Sequence, residues 1–250
     1  MTNILSIHTG HDASITFWKD YKQLFISKEE RLNRIKNWGK DFPKLSFELF
    51  VNKFDPQTVD VLLLGRNFFK SDYFKENLKV EIKKILKKIL FRKEKLISVN
   101  MACRRNLTKN EKDFFDFKKI KRELFLRDDV EVIFCDHHLA HALPCLFFNP
   151  KWKNALLYTS DGGGDGMHYS FNFFNRNKLH QLYGGNDLLY KKYTPNSLGQ
   201  MYAIVTEICG FKRNRHEGKI TGLAAYGKPL SGNEICSLYS VNKKNGKIIS

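Results

Sequence analysis

A β-turn-β-β pattern occurs twice in this chain, and the recurrence constrains its fold more than any other feature. In the first copy Ile4-Leu5-Ser6-Ile7-His8 breaks at Thr9-Gly10-His11-Asp12-Ala13-Ser14. It resumes as Ile15-Thr16-Phe17-Trp18 and returns, after Lys19-Asp20-Tyr21-Lys22, as Leu24-Phe25-Ile26-Ser27. Short β-rich runs separated by turn residues predict a β-meander. In the second copy Ala155-Leu156-Leu157-Tyr158-Thr159 runs into the glycine-rich turn Ser160-Asp161-Gly162-Gly163-Gly164-Asp165-Gly166. Tyr169 to Phe174 and Leu179 to Tyr183 supply the next two strands. Both first turns carry aspartate: Asp12 in one, Asp161 and Asp165 in the other. Small residues leave backbone N–H groups free for a closely approaching phosphate or hydroxyl, although for the first turn taken alone an ordinary hairpin is the default reading. Two such units facing each other would set both turns at one cleft, an arrangement suited to gripping a nucleotide phosphate tail from two sides. The acidic spacing of the second turn is too compressed for an EF-hand calcium loop.

Between the copies, Val59 to Leu64 is a nearly continuous apolar run closed by Gly65, the pattern of a buried parallel strand. Asp41-Phe42-Pro43 starts a helix carrying Leu45, Phe47, Leu49, Phe50 and Phe54, with proline tolerated in the first turn. The charged stretch Glu29 to Lys36 reads as a solvated turn or short helix. From Phe74 to Phe91, Leu78, Ile82, Ile85, Leu86, Ile89 and Leu90 recur at helical spacing opposite Lys83, Lys84, Lys87 and Lys88. Lys109 to Arg127 repeats the pattern with Phe114, Phe115, Phe117, Ile120, Leu124 and Phe125. Together these predict a basic helical insertion at about 66–129. Arg66 to Glu131 holds 20 Lys and Arg against 11 Asp and Glu, within a chain of net charge +17. Such a balance suits nucleic acid or an acidic partner, and a lysine-rich composition bias produces it as well. The aromatic residues fall in buried stripes rather than on stacking platforms, which argues against nucleic acid.

Val130-Glu131-Val132-Ile133-Phe134 forms a strand that delivers Asp136-His137-His138-Leu139-Ala140-His141, the opening of a helix continuing through Ala142 to Phe148. His137 and His141 are four apart and share a helical face, a local concentration of metal-ligand capacity. His138 is turned about 100° away, the position of an outer-sphere residue. Asp136 suits either the N-cap or a role orienting a histidine. Further on, Ser197 can cap a helix from Leu198 through Ile208 ended by Gly210. His216-Glu217-Gly218-Lys219-Ile220-Thr221-Gly222-Leu223-Ala224-Ala225-Tyr226-Gly227 combines small residues for close packing with one charge of each sign, Glu217 and Lys219.

The apolar runs are far shorter than the roughly 20 residues a bilayer crossing needs. No basic segment precedes the apolar run at the N-terminus, and the five cysteines show no CxxC spacing. A cytoplasmic protein with reduced thiols is the expectation.

These stretches together resemble the carbamoyltransferases of the nodulation-factor and antibiotic-tailoring type. The strings that carry the resemblance are Gly10-His11-Asp12-Ala13-Ser14, Glu29-Glu30-Arg31 with Arg34-Ile35-Lys36, and His137-His138-Leu139-Ala140-His141-Ala142. They continue with Asp161-Gly162, Gly164-Asp165-Gly166, Ser197-Leu198-Gly199, and Glu217-Gly218-Lys219 with Gly222 to Gly227. The resemblance implies an α/β chain of the actin-like ATPase (ribonuclease H-like) fold, with the duplicated meanders as its half-domains. Residues 1–136 would form the first half-domain, with the insertion, and 137–250 the metal-site helix and the start of the second.

It implies an O-carbamoyltransferase: carbamoyl phosphate and ATP give a carbamoyl-adenylate, whose carbamoyl group passes to a hydroxyl of a sugar-like or natural-product acceptor. It implies a metal, Fe(II) by family and equally Zn(II) by geometry, on His137, His141 and Asp161. His11 and Asp12 fall where the acceptor hydroxyl is positioned or deprotonated. Gly10, Ser14, His138, Gly162, Gly164, Asp165, Gly166, Glu217 and Lys219 fall at nucleotide- or substrate-binding positions. Family members run to roughly twice this length, so a C-terminal half is expected on a separate polypeptide or lost, and the chain alone is not expected to complete the reaction. The resemblance leaves a homodimer open. The rival readings are a non-catalytic metal- or nucleotide-binding module and an RNA-associated protein related to tRNA modification.

Overall fold

A computed structural model describes residues 1–39, 42–65, 115–164, 167–184, 197–213, 215–228, 232–244 and 248–249, the side chains of Ile235 and Ile249 excepted. The insertion predicted at 66–129 therefore lies outside the described residues as far as 114, as do Asp165 and Gly166. The chain divides into two compact units, Met1–Asp136 and His137–Ser250. Its class is mixed α/β.

In the first unit β1 (Asn3–His8), β2 (Ser14–Lys19) and β3 (Lys22–Lys28) form the predicted antiparallel meander. β4 (Val61–Gly65) pairs parallel with β1, and β5 (Glu131–Cys135) pairs parallel with β4, giving the order β3-β2-β1-β4-β5. Alternation explains the core. Leu5 and Ile7, Ile15 and Phe17, and Leu62 and Leu64 point to one face, all at most 3% exposed. There they meet Phe47 and Phe50 of α2 (Lys44–Val51) and Ile120 of α3 (Phe117–Glu123), with Phe115 and Leu124 beside them.

Two expectations are corrected in this unit. Glu29, on α1 (Glu29–Asn33), is buried rather than solvated. Its carboxylate accepts from the N–H groups of Leu45 (3.1 Å) and Ser46 (2.9 Å), two donors at the start of α2 that have no partner inside the helix. Phe125, read as part of a buried stripe, is 60% exposed, because the chain takes a left-handed residue (φ 55°) just past α3.

The second unit opens with α4 (His137–Phe148), followed by the antiparallel sheet β6-β7-β8: β6 (Asn154–Gly164), β7 (Met167–Asn175) and β8 (Lys178–Tyr183). This is the second meander. α5 (Leu198–Ile208) starts at the Ser197 cap, whose hydroxyl accepts from Gln200 N (3.0 Å), as expected. α6 (Glu217–Ala224) is joined to it through Tyr202 Oη and Thr221 Oγ1 at 2.8 Å. α7 (Gly232–Ser237) and the pair β9 (Ser240–Val241) and β10 (Ile248–Ile249) complete the described elements. Among the described residues no helix is long and apolar enough to cross a membrane.

Candidate metal centre

Period-two alternation along β6 decides which residues meet α4. Leu157 and Thr159 are buried, while Leu156, Tyr158 and Ser160 are exposed. Thr159 Oγ1 lies 2.9 Å from Nδ1 of His138, a fully buried residue of α4, which sets that face of β6 against α4. Asp161, two residues beyond Thr159, inherits the same face.

At Asp161 the ladder breaks. Ser160 pairs with Tyr169 and Gly164 with Met167, so Asp161, Gly162 and Gly163 stand opposite the single residue His168. Such a bulge kinks a strand and re-aims a side chain. The stretch read from the sequence as a turn from Ser160 is therefore strand through Gly164, bulged in its middle.

On this face, at the start of the bulge, the Asp161 carboxylate meets the histidines of α4. Asp161 Oδ2 lies 2.6 Å from His137 Nε2 and 3.6 Å from His141 Nε2, and the two Nε2 atoms are 3.1 Å apart. A triangle with those sides has a circumradius of about 1.8 Å, smaller than the about 2.1 Å of a Zn–N or Zn–O bond, so one centre can sit at bonding distance from all three atoms. The proton inventory points the same way. His137 Nε2 carries either a proton for Asp161 or a lone pair for His141, never both, whereas one cation satisfies all three atoms. The His137 N–H holds the Asp161 carboxyl well below the usual carboxylate range; burial opposes this, and the Gly162 N–H adds to it. The chemistry of two imidazoles and a carboxylate fits Zn(II) or Fe(II). Among the described residues these three are the group of His, Cys, Asp and Glu with donor atoms within 4.8 Å of one another.

Close packing holds the site. A Cβ on Gly164 would lie 2.1 Å from His137 Cγ and Cδ2, so the imidazole occupies space that only glycine leaves. Beneath it runs a buried polar chain: His138 Nδ1 to Thr159 Oγ1, Thr159 Oγ1 to Ser170 Oγ at 2.7 Å, and Asn172 Nδ2 to Ser170 Oγ at 2.9 Å. His138 thus lies within the packing under the other two histidines rather than on an open surface. Glu217 and Lys219 lie on the first turn of α6, the Lys219 ammonium 5.3 Å from the Phe211 ring centroid.

The remaining site residues belong to the first unit. Gly10, His11 and Asp12 lie in the β1–β2 loop, and Ser14 begins β2. His11 Nδ1 is 2.9 Å from Asp12 Oδ2, His8 Nε2 is 3.1 Å from His11 O, and Lys28 Nζ is 3.8 Å from Asp12 Oδ1. The His11 hydrogen bond, with the Lys28 charge in support and burial opposing, lowers the Asp12 pKa. Asp12 is in the left-handed region (φ 63°), which aspartate tolerates better than most side chains. Gly39 passes over this loop so closely that a Cβ there would lie 2.3 Å from Gly10 O and His11 Cα. Asn37 N donates to Glu30 Oε2 (2.8 Å), and Ala13 N donates to Trp38 O (2.9 Å), which fasten the same segment.

Sequence reasoning missed Gly39, Glu30, Thr159, Ser170, Asn172 and Gln200 as contributors. For Gln200 a signal existed: Ser197-x-x-Gln200 has capping-box spacing. That spacing foretells a bond back to the Ser197 N–H, whereas Gln200 Nε2 donates to Gly162 O at 2.7 Å.

Comparison with known proteins agrees with the resemblance. The family described as the carbamoyltransferase N-terminus matches over residues 3–247. An uncharacterized protein of Methanocaldococcus jannaschii is 29% identical over 223 residues, covering 89% of this chain and 33% of its own length. A second uncharacterized protein of that organism is 30% identical over 285 residues, covering 99% of this chain and 45% of its own length. A third, from Synechocystis sp., is 32% identical over 103 residues, 41% of this chain. The chain spans between a third and a half of the length of the first two relatives. With the match running across nearly all of both units, the chain belongs to the carbamoyltransferase N-terminus family.

Proposed function

We propose that this chain is the metal- and acceptor-binding part of an O-carbamoyltransferase. It moves a carbamoyl group from carbamoyl-adenylate, made from carbamoyl phosphate and ATP, to a hydroxyl of a sugar-like or natural-product acceptor. The observation that carries the proposal is the convergence of His137, His141 and Asp161 on one point, in a chain that matches the family over residues 3–247. These three residues would hold Fe(II) or Zn(II), and the ion, when bound, supplies Lewis acidity toward a carbonyl or phosphoryl oxygen and a template for it.

The His11–Asp12 pair is the proton acceptor. With Nδ1–H directed at Asp12, His11 presents Nε2 to the acceptor hydroxyl and takes its proton as the oxygen attacks the carbamoyl carbon. Adenylate leaves with the electron pair of the broken C–O bond. Asp12, already held ionised, stabilises the imidazolium that forms. His11 is 81% exposed at its side chain, which leaves room for an acceptor to approach. The Gly10 backbone, Ser14, Glu217 and Lys219 supply donors and charges for nucleotide and substrate, whereas the Gly162 N–H is already directed at Asp161.

Because the relatives are longer, the assay also includes a polypeptide carrying the part of a relative that this chain does not match. Transfer of radiolabelled carbamoyl from carbamoyl phosphate to a panel of hydroxylated acceptors is measured with ATP, metal and that polypeptide. The expected result is ATP-dependent transfer that falls at least a hundredfold in His137→Ala and in His11→Ala. Transfer at the wild-type rate in both variants would refute the assignment.

A further inference from the structure

We infer that the first turn of α5 positions Asp161 as a metal ligand, with Gln200 holding the bulged backbone in place. The inference rests on the metal reading proposed above. Asp161, Gly162 and Gly163 are out of the β6–β7 ladder, Gly163 sits at φ 146°, and two consecutive glycines give this backbone wide freedom. Contacts from outside the strand must therefore choose its conformation.

α5 supplies them. Ser197 Oγ donates to Asp161 O (3.1 Å) while accepting from Gln200 N (3.0 Å). Asp161 C=O and Gly162 N–H belong to one peptide plane, so fixing the carbonyl fixes the N–H, which donates to Asp161 Oδ1. With Oδ1 taken, Oδ2 is the oxygen turned to His137 and His141. The next carbonyl, Gly162 O, accepts from Gln200 Nε2 at 2.7 Å and lies 2.9 Å from His168 Nδ1. Gln200 Oε1 in turn accepts from the Arg213 guanidinium, which orients the amide so that its NH2 faces Gly162. Gly199 permits the approach, since a Cβ there would lie 2.6 Å from Gly162 N and 2.8 Å from Asp161 C. Gln200 thus forgoes the capping-box bond its spacing invites and spends its amide on the bulge.

The test uses Co(II) as the probe, titrated into metal-free wild-type chain, Gln200→Glu, Gln200→Met and His137→Ala. Glutamate keeps the size and the Arg213 partner but cannot donate to Gly162 O; methionine removes the donor without adding charge. In both Gln200 variants the Co(II) affinity is expected to fall about 10- to 100-fold, as for partners that orient metal ligands. The visible absorption of the bound ion should change, with the circular-dichroism melt retained. Should one variant fail to fold, the other carries the measurement. Wild-type affinity and spectrum in a folded Gln200 variant, with binding lost in His137→Ala, overturn the inference alone. Wild-type binding in His137→Ala overturns the metal reading and this inference with it.

Discussion

Replacing Gly164 by alanine tests the metal centre through a single methyl group. Gly164 is outside the left-handed backbone region, so alanine costs nothing in φ, and the whole effect comes from what the methyl meets. It would lie 2.1 Å from His137 Cγ and Cδ2 and 2.5 Å from Nδ1, where van der Waals contact begins at 3.4 Å. The ring must therefore retreat by about 1.3 Å, several times the ~0.2 Å that a metal–ligand bond tolerates. His141 and Asp161 keep their places, so the expected state is a site with two donors. Metal affinity should fall at least tenfold, which is about 1.4 kcal/mol. Overpacking adds a stability cost of about 1–3 kcal/mol. Isothermal titration with Zn(II), beside urea denaturation of the metal-free chain, separates the two effects. A folded Gly164→Ala chain that binds zinc with wild-type affinity would refute the reasoning, because it would show that the His137 ring is free to bind from another position.

Phe50 is fully buried, with the rings of Phe17, Phe25, Phe47 and Phe54 at centroid distances of 5.3, 6.1, 6.1 and 5.7 Å. Phe50→Ala should destabilise the first unit by about 3–5 kcal/mol in urea denaturation. Gly39→Ala sets a methyl 2.3 Å from backbone atoms of Gly10 and His11, which cannot yield as a flexible side chain would. It should lower carbamoyl transfer while leaving metal content at the wild-type level, and loss of metal instead would contradict the separate role given to this loop. Burial, with a hydrogen bond to Tyr183, pushes the Tyr169 hydroxyl up to about 12. The folded chain then holds that proton longer than the unfolded chain, whose tyrosines ionise near pH 10. This contribution to stability should be complete below about pH 10 and lost as pH rises toward 12; the slope should flatten in Tyr169→Phe.

Much of this architecture is legible in the sequence because it follows from short-range periodicity. Residues four apart in a helix share a face, so spacing alone makes His137 and His141 a pair. Alternating apolar residues announce both meanders, and Ser197 announces the start of α5. Each of these signals arises from backbone sterics and from burial of one face, and both act over a few residues.

What lies beyond the reach of such patterns depends on contacts between residues far apart in the chain. The tight turns of the two meanders are Asp20-Tyr21 and Arg176-Asn177, all four residues at positive φ. None is the Asn-Gly or Asp-Gly pair that normally marks such turns, so strand pairing imposes the geometry. Glu29 reads as solvated charge by its local pattern, yet the start of α2, some 16 residues on, requires an acceptor for its N–H groups. Asp161 is singled out by family resemblance and not by spacing, since 24 residues separate it from His137. Its orientation depends on the backbone of a bulge, and that backbone on a helix cap 36 residues later. Sequence patterns record which residues prefer to be buried or capped. Which partner fills the need is settled only when the whole chain packs, because hydrogen-bonding groups removed from water accept whatever complement the fold brings to them.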